Sequence, residues 1–190
     1  MTSRLTKEAR HEQLLDVAAK IIREKGTEAL TLITLAHQAG VTKPITYKHF
    51  ASRQSLLHAL YKRCDKRFVD AMNIKIQQQA TNFEQAVTLF TDAYLDCLEQ
   101  NGREYNEVIF ALMAYPEYRD IHREIRHFFC QALISVFKPF ISPSIALDKV
   151  RLAAIYGALE AVADMLAEGP STPHQARLTI ERLLKNELTA

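Results

Sequence analysis

The chain is expected to fold as an all-α protein of about nine helices. Apolar residues recur three and four positions apart along almost its whole length, and strand-like alternation is scarce. The 190 residues include only 5 Gly and 6 Pro, and most of these fall in the gaps between periodic stretches. With 48% hydrophobic and 24% charged residues, the composition is that of a globular protein able to bury a core, not of a disordered chain.

The first helix is expected from about Thr6 to Lys25, with Leu14, Leu15, Ala18, Ile21 and Ile22 on one stripe and Gly26 ending it. A short second helix begins at Thr31 or Leu32, carries Leu35, Ala36 and Ala39 inward, and stops at Gly40. A short third follows, with Thr42 as its N-cap and Pro44 tolerated in its first turn. Ser52 opens a long fourth helix reaching about Gln79. The capping pattern Thr81-Asn82-Phe83-Glu84 starts a fifth over about 82–99, which Asn101-Gly102 is expected to break. Helices over 104–114 and 118–138 come next, the first halted at Tyr115-Pro116 and the second at Pro139. The eighth, about 146–168, is apolar almost all round; the ninth, about 173–186, shows Ala176, Ile180, Leu183 and Leu184 on one face.

Two short helices joined by a tight turn containing Gly make a helix-turn-helix. The second helix of this pair exposes Lys43, Lys48 and His49, with Tyr47 as a rigid donor, and those side chains suit phosphates and base edges. Charge divides along the chain in the same sense. Residues 1–67 hold 13 Lys/Arg against 6 Asp/Glu, and residues 68–190 hold 11 against 16. A net charge of +2 therefore hides a basic N-terminal lobe, fit to neutralise phosphates, and an acidic remainder that DNA would repel.

Residues 39–50, AGVTKPITYKHF, followed by Ala51-Ser52-Arg53-Gln54-Ser55-Leu56-Leu57, resemble the DNA-binding segment of TetR-type (tetracycline-repressor-like) transcriptional regulators. The likeness covers about the first third of the chain and includes the preceding helix. Ile45 stands where that family usually has Thr, and Thr46 where it usually has an inward apolar residue. The resemblance implies a three-helix DNA-binding domain over 1–52, a fourth helix from about 53 linking the lobes, and a ligand-binding and dimerisation domain over 53–190. It implies DNA contacts from Thr42, Lys43, Pro44, Ile45, Tyr47, Lys48 and His49, with Arg53 reaching a phosphate. Arg4 and Lys7 would belong to a basic arm that touches the backbone or stays unattached. Ile33 and Thr34 replace residues often charged in the family, so the second helix is expected to add few base contacts.

The function implied is that of a homodimeric repressor released by a small apolar or aromatic ligand from a duplex, pseudo-palindromic operator. An activator is the near alternative, and a ligand-blind regulator of DNA or protein partners the more distant one. The last two helices would pair with those of a second copy, setting two reading helices about 34–36 Å apart to meet successive major grooves. Phe90, Tyr94, Phe110, Met113, Phe128 and Tyr156 are the candidates for an effector pocket, against the plain reading of an aromatic core.

No run approaches the roughly 18 apolar residues of a membrane span, and the first residues lack the apolar core of a signal peptide, so a cytoplasmic protein is expected. Cys64, Cys97 and Cys130 are odd in number and form no CxxC pair, which suggests reduced thiols rather than a metal site or disulfide framework. Glu8–His11 and Glu124–His127 share the Glu-x-x-His spacing of di-iron bundles, but the first lies in the basic lobe and the other carboxylates such a site needs are not evident. No phosphate-binding Gly-rich loop and no nucleophile in a recognisable setting is present. No enzyme, metal or cofactor is implied.

Overall fold

The computed structural model describes residues 5–189, and of residues 101–103 the backbone only. Arg4 lies outside the described residues. Among these, eight α-helices and three 3-10 turns occur and no strand. The chain divides into two compact units. One runs up to Asp65 and takes in Glu104–Arg119; the other comprises Lys66–Arg103 and the chain from Asp120 onward.

The first unit begins with α1 (Lys7–Lys25), capped by the Thr6 hydroxyl, which accepts from Ala9 N–H at 3.1 Å. Its stripe of Leu14, Leu15, Ala18, Ile21 and Ile22 is buried, and Gly26 ends it with φ at 77°. Next come α2 (Leu32–Gln38) and α3 (Lys43–His49), then α4 (Arg53–Gln79), whose first turns belong to this unit. Ser52 and Ser55 cap α4 reciprocally, each backbone N–H donating to the other's hydroxyl at 3.0 and 3.2 Å. Leu30, Leu35, Phe50, Leu56, Leu57 and Leu60 complete the core; each such buried side chain contributes about 1.5–3 kcal/mol.

One expected boundary is absent. Helix α5 (Phe83–Met113) passes through Asn101-Gly102 without interruption, merging the two helices expected there. A helical Gly costs only about 1 kcal/mol relative to Ala. The apolar phase supplies more than that: Phe90 and Val108 lie five turns of about 3.6 residues apart and both are buried. The cap of α5 also sits one residue later than expected. Asn82 Oδ1 accepts from Gln85 N–H at 3.0 Å, and the Gln85 side chain accepts from Thr81 N–H at 2.8 Å. The last turns of α5 return to the first unit with Val108, Ile109 and Leu112 buried, followed by the 3-10 turn Pro116–Tyr118.

The second unit holds the rest of α4 and α5, then α6 (Ile121–Phe137), α7 (Lys149–Glu168) and α8 (Pro173–Thr189). Its core joins Met72, Ile76, Val87, Phe90, Leu133, Phe137, Ile155, Ile180 and Leu184. Asp148 caps α7, accepting from Val150 and Arg151 N–H at 2.8 and 3.0 Å, and Gly169 stops it with φ at 90°. Helix α7 is buried on one face only, through Leu152, Ile155, Tyr156 and Leu159. Val150, Ala154, Gly157, Ala161 and Met165 line the opposite face and are exposed. Cys64, Cys97 and Cys130 are all half-buried thiols.

Candidate nucleic-acid interface and aromatic cluster

The turn between α2 and α3 is built from local hydrogen bonds. Thr31 and Thr34 form a capping box, Thr34 N–H donating to the Thr31 hydroxyl at 3.0 Å and Thr31 N–H to the Thr34 hydroxyl at 2.9 Å. Thr34 is thereby occupied with the helix start. At the other end, Val41 N–H donates to Ala36 O at 3.0 Å and Gly40 N–H to His37 O at 3.2 Å, closing α2 with a Schellman motif. Gly40 has φ at 63°, and a Cβ there would meet nothing within 4 Å. The glycine serves the left-handed backbone, not a close approach.

Thr46 orients α3. It is fully buried, and its hydroxyl can donate to Leu32 O at 3.1 Å or to Lys43 O at 2.8 Å. A Thr can replace the usual apolar residue here because α2 and α3 offer it carbonyl acceptors, so no polar group is buried unsatisfied. Phe50, one turn on, is buried beside it. With those two turned inward, Lys43, Pro44, Tyr47 and Lys48 face solvent, and Ile45 and His49 are half-buried. Tyr47 leaves 53% of its surface exposed on a seven-residue helix, a large aromatic turned toward solvent. Thr42 occupies the N-cap position with extended backbone, but its side chain makes no capping bond. The capping role expected of it is one of backbone position alone.

His49 meets α1. Its ring centroid lies 5.7 Å from that of His11 and 6.3 Å from that of Phe50, and His11 packs on Phe50 at 4.9 Å. Partial burial, followed by the nearby His11, Lys7, Lys48 and Arg10, holds the His49 imidazole below its usual pKa. Sequence spacing gave no sign of this pairing, since His11 and His49 meet only when α1 crosses α3.

Arg53 departs from its expected role. Its Nε donates to Leu30 O at 2.8 Å, Nη2 to Thr27 O at 2.7 Å and Nη1 to Tyr115 Oη at 2.8 Å, with Glu28 3.6 Å away. The guanidinium expected to reach a phosphate is instead turned into its own unit, where it ties the 3-10 turn after α1 to the end of α5. The carbonyls of Thr27 and Leu30 at the two ends of that turn lie where the fork can bridge them, and this competes with an outward reach. His58 and Tyr118 add a second link between α4 and the segment after α5, with ring centroids 4.9 Å apart. Arg23 of α1 and Glu104 of α5 form a salt bridge at 3.3 Å.

Four of the six expected pocket residues fall in the second unit. Phe90 and Tyr94 stack at 6.2 Å; Phe129 stacks on Tyr156 at 5.8 Å and meets Phe128 edge-on. Tyr94 Oη donates to Leu159 O at 2.9 Å, tying α5 to α7, and burial holds its phenol in the neutral, donating form. Tyr156 Oη donates to Glu160 at 2.7 Å. Phe110 and Met113 do not join this cluster. They belong to the first unit and are exposed, because the uninterrupted phase of α5 turns Val108, Ile109 and Leu112 inward in their place. Among the described residues, no group of three or more His, Cys, Asp or Glu is placed to hold a metal ion.

The first unit, the head of the molecule, thus carries a helix-turn-helix whose second helix turns basic and aromatic side chains outward, the arrangement by which such motifs enter a DNA groove. Residues 14–60 match the model of the bacterial regulatory proteins of the tetR family. Two curated relatives are similar to the chain. The HTH-type transcriptional activator FasR of Mycolicibacterium smegmatis is 28% identical over 103 residues, 54% of this chain and 47% of its own. The fatty acid metabolism regulator protein of Bacillus subtilis is 29% identical over 75 residues, 40% of this chain and 39% of its own. The chain thus spans less than half the length of either. Among solved structures, the multidrug binding protein EbrR complexed with ethidium has a TM-score of 0.67 at 19% identity, covering 92% of this chain and 97% of its own. That likeness establishes a shared fold. No helix among the described residues is long and apolar enough to cross a membrane.

Proposed function

We propose that the chain is a homodimeric transcriptional regulator, a repressor that leaves a pseudo-palindromic duplex operator when a small apolar or aromatic ligand binds. The observation that carries this reading is the division of α3, with Thr46 and Phe50 buried while Lys43, Pro44, Tyr47 and Lys48 stand in solvent. Such a helix is anchored on one side and free to enter a groove on the other. Lys43 and Lys48 meet phosphates or guanine edges, Tyr47 and Thr42 donate to phosphates, and Pro44 and Ile45 give apolar contact to thymine methyls. The first unit serves as the DNA-binding domain, wider than the 1–52 expected, and the second as the ligand-binding and dimerisation domain, with α4 having turns in each. The curated relatives are regulators, which supports a role without catalysis, acting in the cytoplasm where the DNA is.

The dimer reading is supported by the exposed face of α7. Val150, Ala154, Gly157, Ala161 and Met165 recur at helical spacing and stay uncovered, with Leu178 of α8 also exposed. Small residues along such a stripe allow another helix to approach closely, and a second copy offers the same stripe. The ligand reading is supported by the aromatic cluster of Phe90, Tyr94, Phe128 and Tyr156, and by ethidium in the complex of structurally similar EbrR. Ligand in the second unit would shift α4 and with it the separation of the two reading helices.

The test is a salt titration of duplex binding with an operator selected from a random-sequence library. Lys48→Ala is expected to weaken binding and to flatten the salt dependence by about one unit of slope for each subunit. Unchanged affinity and slope would remove α3 from the interface.

A further inference from the structure

The head carries a second basic feature, formed where α1 crosses the end of α3. His11 and His49 face each other with ring centroids 5.7 Å apart, and both pack on Phe50. The other groups that act on His49 are Lys7 and Arg10 from α1 and Lys48 from its own helix, all cations. Arg10 spends a donor on a neutral acceptor, Gln13 Oε1, at 2.5 Å. Of the acids on the same stretch of α1, Glu12 lies 3.5 Å from Arg63 on α4, and Glu8 occupies the first turn. Partial burial and these neighbours together disfavour the charged form of His49.

We propose that the His11–His49 pair, with Lys7, Arg10 and Lys48, forms a proton-linked phosphate site, so that this protein takes up protons when it binds duplex DNA. The inference rests on the DNA-binding reading above and adds a regulatory property to it. A backbone phosphate beside the pair supplies a counter-charge. It favours the imidazolium of His49, which becomes a charge-assisted donor, with the His11 ring packed beside it. Protons enter from solvent as the complex forms and leave as it dissociates, so mild acid tightens the complex and mild base loosens it.

The site belongs to two helices and is absent from either alone. Lys48 lies on the reading helix while Lys7, Arg10 and His11 lie on α1, so a phosphate held between them would fix the angle at which α3 enters the groove. Phosphate contacts of this kind set register and carry no base information. The linkage is therefore expected with any duplex, operator or not.

The experiment uses the full chain and a mixed-sequence duplex about three helical turns long, at low fixed salt, followed by fluorescence anisotropy between about pH 6 and pH 8. Binding is expected to tighten at least about threefold per pH unit lowered for each subunit bound, tenfold being the limit for one full proton. His11→Gln and His49→Gln should each reduce that slope and the double variant abolish it. His174→Gln, at an exposed position in the first turn of α8, should leave it intact. In parallel, the imidazole resonances of the unaltered protein are titrated with and without the duplex, a readout that does not depend on how the variants fold. The His49 midpoint should move up when DNA is added. A midpoint that stays put, or a full slope in the double variant, overturns the proposal and leaves the DNA-binding reading standing. Absence of duplex binding at every pH overturns both.

Discussion

Arg53 Nη1 donates to Tyr115 Oη at 2.8 Å, joining the first turn of α4 to the segment just after α5. The same guanidinium spans the 3-10 turn after α1 through Thr27 O and Leu30 O. One planar fork thus holds three stretches of the head together, a task for which the rigid donor geometry of Arg is suited and a Lys ammonium is not.

Arg53→Ala is expected to destabilise the head by about 2–3 kcal/mol, since several charge-assisted bonds are lost and two carbonyls lose their donor. Tyr115→Phe removes one bond and should cost about 1 kcal/mol. Arg53→Lys should recover little. Urea denaturation read by circular dichroism measures all three. If Arg53→Ala left stability untouched but lowered the salt slope of DNA binding, the residue would return to the phosphate role.

Tyr47 offers a test of the reading helix that is separate from charge. It is exposed and its ring supports no core, so Tyr47→Ala should leave the thermal midpoint within about 2 °C of the parent. Operator affinity should fall by roughly tenfold, the size of one good contact. A loss of folding instead would mean that the ring packs on the head.

Along α7, Gly157 has open space where a Cβ would stand, within a chain of small exposed neighbours. Ala161→Glu should therefore be silent in an isolated subunit yet separate a dimer, because two copies would bury carboxylates against each other. Sedimentation velocity is expected to show a dimer for the parent and a monomer of unchanged helicity for the variant. A monomeric parent would end the dimer reading.

Asp148 and His49 both make stability fall as pH falls, in separate ranges. The Asp148 carboxyl is held below its usual pKa by the N–H groups of Arg151 and Val150, so its stabilisation is present above the unfolded value near 4 and is lost as pH falls through the folded value. Asp148→Asn keeps an acceptor and should flatten that acid limb. His49 is held low by burial and its cationic neighbours, so the unfolded chain binds the proton more readily, and stability falls as pH drops through about 6.5. His49→Gln should remove that small decline. Over this same range DNA binding is expected to strengthen, so acid would loosen the free head while tightening its complex.

Much of this molecule was legible in the order of its residues, because the relevant physics acts within one or two turns of chain. The periodic stripe of α1, its stop at Gly26, the start of α2 at Thr31 and the turn at Gly40 all follow from caps, spacing and a single left-handed glycine. So does the outward place of Lys48, which stands opposite Thr46 and Phe50 on α3, whereas Lys43 shares their helical phase and is exposed in the first turn. What tertiary structure decided are matters of competition between distant groups. Whether Gly102 would break α5 depended on the apolar residues on both sides finding cores, and they did, which turned Phe110 and Met113 outward. Whether Arg53 would point outward or inward depended on Tyr115, 62 positions away, and on carbonyls more than 20 positions before it. The meeting of His11 with His49 depended on how α1 crosses α3. Local propensity cannot choose among such partners; only the packed chain brings them within reach of one another.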